Sequence, residues 1–118
     1  MTPLDRVLEI QPGRRGVAIM NIPATLSLFD SHFPRFPVLP GVLLLQAMAR
    51  LSSRVVGDGW RLRAAHRIQF RRFVQPGDQV VITAEVTADT DEVIELRAKA
   101  QIADSTVATA RRLVLERV

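Results

Sequence analysis

The chain has no cysteine, no tyrosine and one tryptophan, and Lys99 is the only lysine among its 16 basic residues. Without cysteine there is no disulfide and no thiolate chemistry, in keeping with a reducing compartment. No run of about 18 apolar residues occurs, so no membrane span is expected. The opening MTPLDRVLEI has neither an apolar signal core nor a small-residue cleavage site, so the expected location is the cytoplasm. Aromatic surface is scarce as well: Trp60 and five phenylalanines make a poor platform for stacking bases. The arginines are scattered or paired, as in Arg14-Arg15, Arg71-Arg72 and Arg111-Arg112, and are not gathered on one helix. No zinc-ligand spacing and no helix-turn-helix pattern is present, so neither a metal nor nucleic acid is expected. A formal net charge of +4 still favours an anionic partner of some kind.

What the chain does contain is clear punctuation. At 118 residues it is read as one domain, residues 1–118, with no repeats and no low-complexity linker. The stretches 7–10 and 16–22 read as strands joined through the turn Gln11-Pro12-Gly13. A proline-rich loop fills 23–39. One helix is expected over 40–56, with Pro40 at its first position and Gly57-Asp58-Gly59 ending it. Four more strands follow at 64–74, 79–88, 92–102 and 105–118. In the last of them Val107, Leu113 and Leu115 oppose Arg112 and Glu116 with a period of two.

This order has a physical consequence. The helix carries Val42, Leu43, Leu44, Leu45, Ala47, Met48, Ala49 and Leu51, so it reads as apolar nearly all round and bound for burial. With a single helix, the antiparallel strands have to curl around it. A six-stranded sheet of this length leaves open edges, and such edges are commonly closed by a second chain. The expectation is an α+β fold, six antiparallel strands wrapped around one central helix, in a dimer.

The stretch HFPRFPVLPGVLLLQAMAR, residues 32–50, resembles the signature H-F-P-G-x-P-V-x-P-G-V-L-x-x-E-A-M-A-Q of the hot-dog-fold 3-hydroxyacyl-acyl-carrier-protein dehydratases of type II fatty acid synthesis. DRVLEIQPGRRGVAIMNI near the start and IQFRRFVQPGDQV after the helix resemble the same family, whose members usually carry an extra segment ahead of DRV. The resemblance implies a hot-dog fold, dimers with a continuous sheet, and active sites at the dimer interface that take histidine from one subunit and the acid from the other. It implies His32 as the base and Gly41 as the helix-start glycine whose N–H polarises the thioester carbonyl. Phe33, Pro40 and Val42 join Gly41 as substrate contacts. Gln46 occupies the place of the catalytic glutamate. Arg50, Arg35 and Ser31 are further departures. The implied substrate is an acyl chain on the phosphopantetheine of an acyl carrier protein, with no other cofactor.

The chemistry makes position 46 decisive. Removing water from a β-hydroxyacyl thioester needs a base for the α-proton and an acid for the departing hydroxyl. Histidine serves as the base, and a helix N-terminus supplies N–H donors to the enolate-like oxygen. Glutamine accepts and donates hydrogen bonds but has no proton to give at neutral pH. Losing one general acid–base group typically costs on the order of 10²–10⁴ in rate.

Other readings stand beside these. Gln46 is either a satisfied core amide or a substrate contact. His66, grouped by strand parity with Ile68 and Phe70, reads as structural or dimer-lining, and Asp30 as a turn residue. Arg71 and Arg72 are either a grip on the acidic carrier and its phosphate or a solvated pair. The leading function is a dehydratase of fatty acid or polyketide synthesis, as a homodimer or with a paralogous hot-dog chain that supplies the acid. The alternatives are a hot-dog thioesterase or isomerase, in which Gln46 orients water, and a non-catalytic subunit that binds acyl carriers.

Overall fold

The computed structural model describes residues 4–22 and 39–118. Most of the proline-rich loop lies outside them, and with it Asp30, Ser31, His32, Phe33, Arg35 and Phe36. In chain order the elements are β1 (Arg6–Gln11), β2 (Arg15–Asn21), α1 (Gly41–Val56), β3 (Trp60–Phe70), β4 (Gln79–Asp89), β5 (Val93–Ile102) and β6 (Ser105–Arg117). All six strands form one antiparallel sheet in the order β1-β2-β4-β5-β6-β3, so β1 and β3 are its two edges.

The sheet bends around α1, which touches every strand. Alternation supplies the inner face: Ala18 and Met20 on β2, Val80, Ile82 and Ala84 on β4, Ile94, Leu96 and Ala98 on β5, all buried. On β6 the alternation shifts phase. Ala108 and Ala110 are buried, then Leu113 and Leu115, because β6 carries one extra residue opposite Leu96–Ala98 of β5. That bulge turns both Arg111 and Arg112 to the outside. The helix answers with Leu44, Ala47, Met48, Leu51 and Val55. Each of the larger side chains, Leu44, Met48, Leu51 and Val55, contributes roughly 1.5–3 kcal/mol by leaving water. Ser52, the helix's one buried polar residue, donates its hydroxyl to the Met48 carbonyl 2.9 Å away, one turn back.

The ends of α1 are set locally. Pro40 is the N-cap, not the first helical residue: its φ of −59° suits a helix but its ψ of 137° is extended, so the helix begins at Gly41. At the other end Gly57 takes φ 92°, a left-handed conformation open to glycine, and its N–H closes on the Ser53 carbonyl at 2.9 Å. The β1–β2 turn is tied to the same end, Gly13 N–H donating to the Val55 carbonyl at 2.8 Å.

Two expectations need correction. The helix is not enclosed all round, because Val42, Gln46, Arg50 and Arg54 form an exposed stripe spaced at one turn. The third strand runs Trp60–Phe70 and not 64–74. It leaves the Gly57–Gly59 turn directly, and it ends where the N–H groups of Arg71 and Arg72 both turn to one carbonyl, that of Val107.

Candidate active site

The open end of α1 is held by the segment that follows β3. Leu39 donates its N–H to the Val74 carbonyl at 2.6 Å, and both residues are buried. Phe70, Arg71, Arg72 and Phe73 are thereby brought beside Pro40 and Gly41. A side chain at position 41 would displace the ring as it stands: a Cβ there would lie 2.7 Å from the tip of Phe70. Glycine at the helix start lets the aromatic ring lie where the first turn would otherwise carry a side chain.

Amides in the first turn of a helix have no acceptor within it and lie at the positive end of its dipole. The Leu43 N–H closes on the Pro40 carbonyl at 3.0 Å, and no acidic residue occupies this turn to satisfy the others. Around them the surface is apolar and open, with Val42 58% exposed, Phe70 51% and Phe73 67%. Gln46 lies one turn below Val42 on the same stripe. It is exposed, and among the described residues its amide has no hydrogen-bond partner. Among the described residues it therefore stands at the surface and outside the core. An amide donor and acceptor thus sit beneath a helix N-terminus, beside an apolar rim.

Arg71 and Arg72 are exposed at the edge of this surface, and neither guanidinium is paired among the described residues. His66 is elsewhere. It is exposed and faces Arg112 across the β3–β6 ladder, whereas Ile68 opposes the buried Ala110. The expected grouping of His66 with Ile68 fails because Arg67, at φ 54°, interrupts the alternation between them. The structure therefore joins Pro40, Gly41, Val42, Gln46, Arg71 and Arg72 around one end of the helix and leaves His66 out; His32 and Phe33 lie outside the described residues. Sequence reasoning missed Phe70 as the ring that closes on Gly41. Such a contact between distant segments leaves no periodic trace.

A family profile described as ApeI dehydratase matches residues 9–111, nearly the whole chain. The chain belongs to the ApeI-like dehydratase family. The 3-hydroxyacyl-[acyl-carrier-protein] dehydratase FabZ of Syntrophomonas wolfei is 39% identical over 92 residues, 72% of this chain and 64% of that protein. The FabZ of Granulibacter bethesdensis is 37% identical over 116 residues, 91% of this chain and 68% of that one. The chain thus spans about two thirds of the length of these curated relatives. Among solved structures, the dehydratase heterocomplex ApeI:P from Xenorhabdus doucetiae superposes with a TM-score of 0.71 at 21% identity, covering 88% of each chain. That likeness concerns the fold, and the six-stranded sheet around one helix is the hot-dog fold. By family this ApeI-like chain is a dehydratase, a lyase.

Proposed function

We propose that this chain removes water from 3-hydroxyacyl thioesters on an acyl carrier protein, giving trans-2-enoyl thioesters, as one half of a hot-dog pair whose other half supplies the acid. His32 takes the α-proton, and the electrons of that C–H bond form the new double bond as the β C–O bond breaks. The Gly41 N–H, at the positive end of α1, holds the thioester oxygen while it carries negative charge. Phe33, Pro40 and Val42 line the acyl path. A carboxylic acid of the second chain, at the position that Gln46 holds here, protonates the leaving oxygen, while Gln46 itself falls in the pair's other site, which then has no acid. Proton transfer and helix amides meet every demand of this reaction, so neither a metal nor an organic cofactor enters. Arg71 and Arg72 receive the acidic carrier or the phosphate of its phosphopantetheine arm. A cytoplasmic setting fits the cysteine-free chain.

The observation that carries this reading is the place of Gln46. At the position of the family signature's acid stands an amide, exposed on the one helix stripe that this chain leaves open. The ApeI:P assembly is a precedent for dehydratases built from two chains. The test is single-turnover dehydration of a carrier-bound 3-hydroxyacyl thioester, followed by mass spectrometry of the carrier. The chain is assayed alone and with a second hot-dog chain that has glutamate at the corresponding position. Turnover by the pair and very little by the chain alone is expected. Equal turnover in the two would remove the need for a borrowed acid.

A further inference from the structure

The two sheet edges differ in charge. Edge strand β1 is six residues long, interrupted by a bulge between Val7 and Glu9, and carries both signs, Arg6 and Glu9. Edge strand β3 is eleven residues long and contains Arg61, Arg63, His66 and Arg67 with no carboxylate. Among the described residues one acidic side chain answers them, Glu116 of the neighbouring β6, which lies 2.9 Å from Arg61 and 3.8 Å from Arg63. Arg67 is exposed, stands at φ 54° and has no partner among the described residues. The opposite side of the strand is apolar: Leu62 is 39% exposed, Phe70 half exposed, and Trp60, Ala65 and Ile68 are partly buried against the core.

A long edge strand with a half-open apolar side is a template for pairing. Its outer side decides with whom. When β3 pairs with β3 of a second copy, outer-face side chains meet outer-face side chains, and on this strand every one that bears charge is a cation. Any register of self-pairing therefore sets the cations of β3 against cations or neutral residues of the facing strand, which holds no carboxylate of its own. Like charges opposed across a ladder destabilise it, and opposite charges support it.

We infer that the β3 edge selects against a second copy of this chain and for a hot-dog partner whose own edge strand carries carboxylates. This rests on the proposed two-chain enzyme and names the chemistry of its second member. The apolar side of β3 drives association, and the cationic side chooses the partner.

The test uses this chain and an acidic-edged version of it as the probe, so assembly is read without any activity. The variant carries Arg63→Glu, His66→Glu and Arg67→Asp. Glutamate at 66 would face Arg112, aspartate tolerates the left-handed conformation at 67, and Arg61 keeps its pair with Glu116. Native mass spectrometry of an equimolar mixture should show the mixed pair exceeding the two-to-one excess that random pairing gives over each self-pair. Sedimentation of the parent alone, needing no variant, is the second reading. Raising salt from about 50 to about 500 mM shortens the screening length to below about 10 Å and should tighten parental self-association several-fold. A random mixture, a parental dimer that weakens or holds steady with salt, or a parent that stays monomeric throughout would each overturn the inference. Failure of the proposed dehydration would instead appear only in turnover, with the pairing unaffected.

Discussion

Glutamine and protonated glutamic acid have nearly the same shape and differ in one respect that dehydration feels, a proton that can leave. With Gln46 exposed beneath the start of α1 and without a hydrogen-bond partner among the described residues, the difference is chemical and not one of packing. The proposed base is tested at the same scale. His32→Ala should lower dehydration by the lead pair on the order of 10²–10⁴-fold, the usual share of one acid–base group. The circular dichroism spectrum should stay that of the parent; turnover within a few-fold would mean that another residue takes the proton. Gly41→Ala makes a separate point. The methyl would meet the Phe70 ring at 2.7 Å, and that ring, half exposed, has room to swing outward. Stability should therefore change by about 1 kcal/mol or less, since alanine is the better helix former. Turnover should fall clearly because the ring and the helix-start amide move apart. A thermal melt and a steady-state assay on one sample read both effects.

At the scale of elements, the helix and its cradle hold the site in place. Gly16 of β2 lies under the helix, where a Cβ would stand 2.7 Å from Val55 and 3.1 Å from Leu51. Gly16→Ala should cost about 1–3 kcal/mol by overpacking, seen as a lower urea midpoint with an unchanged slope. Leu51→Ala, which empties the fully buried centre of the same contact, should cost about 2–5 kcal/mol. Much of this architecture was legible in sequence. Pro40 and the Gly57–Gly59 turn mark the helix to within a residue, and alternation marks β2, β4 and β5. The start of β3 was also written in the alternation of Trp60 and Leu62 with Arg61 and Arg63, close behind the turn. Its end and its kink were not, since they depend on a shared carbonyl, Val107, and on the left-handed Arg67. The open stripe of α1 was hidden because Val42 is as apolar as Leu44, and only the path of the sheet tells them apart. In the site, the motif located Gly41 and Gln46, while the Phe70 contact depended on how two distant segments pack.

At the scale of the whole molecule, this chain leaves open what the proposed reaction needs closed: one edge of the sheet, the helix stripe holding Gln46, and the apolar rim of Val42, Phe70 and Phe73. A second hot-dog chain laid along β3 would meet that edge, and on the proposed mechanism a pair with one histidine and one carboxylic acid has one complete site. The central claim is that Gln46 is an acid given up to a partner. It is tested most directly by dehydration of a carrier-bound 3-hydroxyacyl thioester by the purified chain and its Gln46→Glu variant, each at a concentration where it self-associates. Once a second copy covers the stripe, desolvation would raise the pKa of the new carboxyl and favour its protonated, donating form. The parent should be nearly inactive and the variant faster by about 10²-fold or more. A parent that dehydrates the substrate unaided and loses that activity on Gln46→Glu would contradict it.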